Sequence, residues 1–206
     1  MKLIAIGGKA GSGKTTFADH MTRCFEGTKL SFASAVKDEV ADFLNQCGVP
    51  YEHRHLYGTT EDKAEILKVP VANWIESDYR PRAVLNKYVT QLGGDLCISY
   101  RQLMQLWGTE YRRAQNPNYW EERMRWVLEE SEGLVLIDDV RFLNEVKLCA
   151  DFDGLLVRIA RPGLPELDHP SETALDDFKE WSLTMLNYNT LEDYLSEIQR
   201  VGRWLV

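Results

Sequence analysis

Apolar positions along the chain follow two alternating periods. Consecutive apolar runs stand inside Lys2–Gly7 and Gly133–Ile137, and Leu155–Ala160 is apolar except for Arg158. Unbroken runs of this length fit strands covered on both faces. Shorter stretches at Lys29–Phe32 and Ser182–Leu186 extend the set. Between them apolar residues recur three and four apart. Val36, Val40, Phe43 and Leu44 predict a helix capped by Ser34 and running to Gln46. Leu103, Trp107, Tyr111 and Ala114 form the packing stripe of a helix over Ser99–Ala114. Thr15–Cys24 and Phe142–Ala150 also read as helices, and Asn116-Pro117 opens another, ending near Glu130. Asn189 and Glu192 fit a capping box for a last helix to Leu205. From Gly48 to Gly94 the pattern is broken by Pro50, Pro70 and Pro81, with helical pieces expected at Glu61–Leu67 and Arg82–Leu92.

Strands alternating with helices predict an α/β fold of three layers: a parallel central sheet of about five strands with helices on both faces. A chain of 206 residues fits a single domain. In such sheets ligands bind beyond the carboxyl ends of the strands. Chemistry is therefore expected after Ile6, Phe32, Ile137 and Ala160.

After Ile6 the chain reads Gly8-Lys9-Ala10-Gly11-Ser12-Gly13-Lys14-Thr15. This is the G-x-x-x-x-G-K-[ST] phosphate-binding loop, in its required place between a strand and a helix. Its amides form a concave anion site, and the helix N-terminus adds positive potential. Gly11, Ser12, Gly13, Lys14, Thr15 and Thr16 are the expected contacts to ATP. Lys14 would reach the β- and γ-phosphates, and the Thr15 hydroxyl would ligate Mg²⁺.

After Ile137 come Asp138-Asp139-Val140-Arg141. On spacing alone either aspartate could serve Mg²⁺ or accept a proton, and Arg141 offers a bidentate fork to phosphate. Arg101, Gln105, Gly108 and Arg112 share one helix face, with Arg113 and Arg123 as weaker candidates. Lys37 falls in the first turn of the helix after the second strand. Trp120 could stack on a base or pack in the core. Arg158, Arg161 and His169 frame Arg161–Thr173, a Pro-rich polar stretch that reads as a lid, within which Ser171 fits a helix cap.

The net charge of −8 argues against a general nucleic-acid binder. No apolar run reaches the ~20 residues that span a bilayer, so no membrane partner is expected. Cys24, Cys47, Cys97 and Cys149 are widely spaced, as expected of cytosolic thiols, and no leader is expected ahead of the first strand.

Taken together, GGKAGSGKTT, SFASAVKDEV, RQLMQLWGTEYRR, DDVRFLNE, VRIARPG, HPSE and NYNTLEDYL resemble the deoxynucleoside monophosphate kinases of tailed bacteriophages. The resemblance covers about residues 1–46 and 99–206. It implies a P-loop kinase fold and transfer of the ATP γ-phosphoryl group to a deoxynucleoside monophosphate. Lys14, Asp139 and Arg141 carry over as catalytic residues, with Thr15 and Asp139 at the metal. Relatives often lack an acid at the position of Asp138. Arg101, Gln105 and Arg112 are the implied acceptor contacts; Lys37, Trp120, Arg141 and Glu172 complete the expected acceptor set, and Arg161 is an expected ATP contact. An acceptor-binding helical region is expected over about 34–131 and a lid over about 161–173. A homodimer in the cytoplasm, that of a host if phage-encoded, completes the expectation. The rivals are another small P-loop kinase, of the dephospho-coenzyme A or phosphomevalonate type, and an ATPase regulator without a small acceptor.

Overall fold

The computed structural model describes residues 1–70, 79, 81–86, 94–165 and 168–206. In chain order its elements begin with β1 (Lys2–Gly7), α1 (Lys14–Phe25), β2 (Thr28–Leu30), α2 (Phe32–Gln46), α3 (His53–Tyr57) and α4 (Thr60–Ala64). There follow β3 (Ile66–Pro70), α5 (Arg82–Leu85), β4 (Asp95–Ser99), α6 (Tyr100–Gln105) and a π-helical segment, Leu106–Arg113. The chain ends through α7 (Tyr119–Glu129), β5 (Leu134–Val140), α8 (Leu143–Asp151), β6 (Leu155–Ala160), α9 (Pro170–Thr173), β7 (Leu183–Leu186) and α10 (Leu191–Leu205). These elements form two compact units, one of Met1–Phe32 with Glu121–Val206, the other of Ala33–Trp120.

The first unit holds the five-stranded sheet, in the order β2-β5-β1-β6-β7. Every pairing in it is parallel. One face buries Ile4, Ile6, Leu136, Val157 and Ile159 against Phe17 and Met21 of α1 and Ile198 and Leu205 of α10. On the other face Leu3, Ala5, Val135 and Ile137 are just as buried, and α8 lies against β1 and β6. Two covered faces explain why β1 and the first half of β5 read as unbroken apolar runs. The observed architecture is thus the α/β sheet with surrounding helices expected of a P-loop kinase fold.

Several boundaries move, each for a local reason. The third expected strand does not stop at Ile137 but runs to Val140, so both aspartates lie within it. Successive strand residues point to opposite faces, which separates the two carboxylates. Helix α2 starts at Phe32, so Ser34 is interior and not its cap. The Phe32 amide instead donates to Asp139 Oδ1 at 2.8 Å. Helix α10 is capped by Thr190, which accepts from the Asp193 amide, and not by Asn189. His169, not Ser171, caps α9: its ring accepts from the Ser171 amide.

In the second unit β3 and β4 pair antiparallel, Ile66 opposite Ser99 and Pro70 opposite Asp95. The expected helix over Glu61–Leu67 therefore breaks at Ala64. Leu67 and Val69 are buried while Ile66, Lys68 and Pro70 are exposed, a period of two that a strand satisfies and a helix does not. Ser99 caps α6 by accepting from the Gln102 amide. The helix then widens into the π segment, a form that concentrates at functional sites. The expected opening at Asn116-Pro117 moves to Tyr119, because the Asn116 side chain accepts the Asn118 amide in a local turn. Of the helix expected at Arg82–Leu92, Arg82–Leu85 is seen and residues 87–92 lie outside the described residues.

Candidate functional site

The phosphate loop occupies the turn between β1 and α1. Gly8, Gly11 and Gly13 have φ of 139°, 76° and 104°. A Cβ at Gly8 would lie 2.2 Å from the Ile159 carbonyl oxygen, and one at Gly13 would lie 2.6 Å from Asn187 Nδ2. Glycine is thus required at both for space as well as for backbone conformation. Asn187 Nδ2 donates to the Ser12 carbonyl at 2.8 Å, and the Tyr194 hydroxyl to the Gly13 carbonyl at 3.1 Å. The segment between β7 and α10, with the start of that helix, therefore holds the loop from behind. Both residues lie in NYNTLEDYL, one of the motifs that carry the resemblance, but no spacing in that stretch predicted that they hold the loop.

Lys14 is buried and bends back over the loop, donating to the carbonyls of Gly8 and Lys9, both at 2.8 Å. Burial, reinforced by the nearby Arg141 charge, pulls its ammonium down to about 8, against the opposing influence of Glu172, Asp139 and Asp138.

The two aspartates divide. Thr15 Oγ1 donates to Asp138 Oδ2 at 3.2 Å. Asp139 accepts from the Phe32 amide and from Ser31 Oγ, each at 2.8 Å. The resemblance points to Asp139 beside Thr15 at the metal, but the carboxylate on Thr15 is that of Asp138. A hydroxyl beside a carboxylate suits Mg²⁺, which takes one or two protein oxygens and completes its shell with water and phosphate. Thr15 and Asp138 fit that ion.

Arg141 pairs with the Glu172 carboxylate and donates to the Ser171 carbonyl at 3.2 Å. Glu172 Oε2 also accepts the Ala10 amide at 2.9 Å. Glu172 thus sits on the phosphate loop itself.

Among the described residues two cavities flank the loop. One, of about 360 Å³, is lined by Gly11, Gly13, Lys14, Thr15, Thr16, Arg161, Asn187, Asn189, Leu191 and Tyr194. The other, of about 160 Å³, includes Gly8, Lys9, Arg141, Arg158, Arg161 and Glu172. The structure therefore brings together Gly11, Gly13, Lys14, Thr15, Thr16 and Arg161, and gathers Arg141, Glu172 and Arg161 at the second cavity. Ser12 is fully buried.

In the second unit Arg112 Nε donates to Glu39 Oε2 at 2.7 Å. The guanidinium lies 5.4, 4.9 and 4.7 Å from the ring centroids of Tyr79, Tyr111 and Tyr119. Glu39, buried, also accepts from Trp107 Nε1 at 2.9 Å and from the Tyr119 hydroxyl at 2.5 Å. Arg101 donates to Thr60 Oγ1 at 3.3 Å, and Lys37 lies over the Tyr57 ring at 4.5 Å. Burial and the charges of Lys37 and Arg101 lower the Lys63 ammonium, which puts a third cation in this cluster that the sequence reading missed. Gln105 is half-buried at the end of α6. Trp120 is buried, and its Nε1 donates to the Gly108 carbonyl at 2.9 Å. Its indole packs inside the protein, in the core role of the two that its spacing left open and not as an exposed base-stacking contact.

No family model matches the chain. A protein of Acanthamoeba polyphaga mimivirus is 29% identical over 199 residues, covering 96% of this chain and 94% of its own, and carries the provisional name deoxynucleotide monophosphate kinase. This similarity is to a viral kinase-named protein outside the tailed bacteriophages. An unliganded sugar kinase of Janibacter sp. superposes over 100% of this chain and 94% of its own with a TM-score of 0.44 and 13% identity, a likeness too loose to define kinship. Among the described residues no helix is long and apolar enough to cross a membrane.

Proposed function

We propose that the protein is an ATP-dependent phosphotransferase that moves the ATP γ-phosphoryl group to a deoxynucleoside 5′-monophosphate. The observation that carries the phosphotransferase reading is the loop Gly8–Thr15, with Lys14 at its centre, Asp138 on Thr15 and Arg141 at the rim. The acceptor class is supported by the near full-length similarity to the mimivirus protein and by the motifs around Arg101, Gln105 and Arg112.

On this reading the triphosphate lies along the loop amides, and the nucleoside occupies the larger cavity beside Arg161, Asn187 and Asn189. Lys14 leaves the Gly8 and Lys9 carbonyls for the β- and γ-phosphates. Thr15 and Asp138 would hold Mg²⁺, which would supply neutralisation of phosphate charge. Binding of the acceptor is assigned to Lys37, Arg101, Gln105 and Arg112. An acceptor phosphate oxygen forms the new bond to the γ-phosphorus as the bond to the β,γ-bridging oxygen breaks, and ADP leaves. That nucleophile is already anionic, so no strong general base is required. Arg141 stabilises charge on the transferring group.

The test is ADP release from ATP and Mg²⁺ with each deoxynucleoside monophosphate in turn. We expect stimulation by one or more of them, abolished in Lys14→Ala and lowered ~10³-fold in Arg141→Ala, the scale of a lost arginine clamp. Turnover indifferent to every monophosphate would remove the acceptor assignment and favour an ATPase.

A further inference from the structure

We infer that the Glu172 carboxylate is a built-in stand-in for the terminal phosphoryl group, and that ATP must displace it to bind. The inference rests on the nucleotide reading above and deepens it. Glu172 is nearly buried, its side chain 6% exposed. One oxygen accepts a phosphate-loop amide, that of Ala10, and the other pairs with Arg141. Burial alone would favour the neutral acid. The Arg141 charge, the Ala10 amide and the Lys14 charge outweigh it and hold the carboxyl below its ordinary range. An anion therefore lies where a loop amide and the Arg141 guanidinium converge.

The position along the loop identifies which phosphate it replaces. Gly11 and Gly13–Thr16, toward the helix end, border the larger cavity and Ala10 does not, and loop amides at the helix end cradle the phosphates nearer the nucleoside. Ala10 lies at the opposite end, and Glu172 lines the smaller cavity with Lys9, Arg141 and Arg158. That end receives the terminal phosphoryl group. A carboxylate and a γ-phosphate cannot share one amide and one guanidinium, because like charges in a poorly solvated site repel strongly. ADP, which ends at the β-phosphate, does not need the exchange.

The strap that carries Glu172 is held by contacts that can be released together. Lys9 Nζ donates to the Glu172 carbonyl at 2.6 Å and pairs with Asp176 at 2.5 Å, while Arg141 also holds the Ser171 carbonyl. Once displaced, Glu172 frees the Arg141 fork for the transferring group.

The experiment compares binding of ADP and of a non-hydrolysable β,γ-imido ATP analogue, each with Mg²⁺ and no acceptor, by titration calorimetry. Glu172→Gln keeps the shape and removes the charge. We expect the analogue to bind about tenfold tighter to the variant, with ADP affinity nearly unchanged. Equal changes for both nucleotides, no change, or weaker analogue binding overturns the inference and makes Glu172 a permanent part of the site. Hydrogen exchange on the unmodified protein supplies a second arm that needs no variant. Peptides from 169–181 should gain exchange with the analogue and not with ADP, and unchanged protection with the analogue overturns the inference. Failure of the unmodified protein to bind either nucleotide would instead overturn the nucleotide reading and take this inference with it.

Discussion

At the scale of single residues, neighbours one position apart do different work. Asp138 faces Thr15, and Asp139 ties Ser31 and Phe32 to β5. Asp138→Asn should therefore weaken Mn²⁺ binding to the nucleotide complex, read by electron paramagnetic resonance, with little change in unfolding midpoint. Asp139→Ala should lower stability by roughly 1–3 kcal/mol in urea unfolding, since it strips a buried amide of its charged acceptor. The reverse pattern would return the metal to Asp139. Lys14 gives a pH signature. Its free-state pKa of about 8 lies below the ordinary 10.5 because the charged form is buried beside Arg141. Bound phosphates favour the ammonium and raise that value. Below about pH 7 the group is charged in both states and contributes no slope. As pH rises through 8 toward 10, the free protein must take up a proton to bind, so ATP affinity falls. Calorimetry in buffers of different ionisation enthalpy should detect that uptake near pH 9, and Lys14→Arg should abolish it.

At the scale of elements, the loop is shaped by parts of the chain far from it in sequence. The strand, glycines and helix start around it were legible, because the motif requires all three within one short window. The support from Asn187 and Tyr194 was not, because one amide and one phenol in a distant segment carry no periodic signal. Asn187→Ala should cost about 1–3 kcal/mol, since the Ser12 carbonyl loses its buried donor. A matching loss of ATP affinity would show that the contact holds the loop in shape as well as stabilising the fold. The β3–β4 pair was missed for a different reason. A run of five residues from Ile66 to Pro70 is too short to separate the two periods, and its partner lies more than twenty residues on.

At the scale of the whole molecule, nucleotide binding should couple to folding of the unit that holds the loop. A ligand at ~100 times its dissociation constant adds about 2.7 kcal/mol to the state that binds it. Saturating ATP with Mg²⁺ should thus raise the thermal midpoint, and Lys14→Ala should remove most of the rise while keeping the unliganded midpoint near its original value. A rise retained in that variant would place the nucleotide elsewhere. The net charge of −8 belongs at this scale too. It sits beside a local cluster of Lys9, Lys14, Arg141 and Arg158, so anion binding here depends on placement and not on overall charge.

Much of the fold and the donor loop followed from the chain alone. Unbroken apolar runs demand burial on two faces, 3.6-residue stripes demand helices, and Gly8 and Gly13 meet backbone conformations that side chains rarely adopt. These are local constraints, and local sequence expresses them. The division of labour between Asp138 and Asp139, the packing of Trp120 on Gly108, the charge cluster at Lys63 and the seat of Glu172 on the Ala10 amide were decided only in three dimensions. Each depends on partners brought from distant segments, and a carboxylate or an indole takes its role from what it touches.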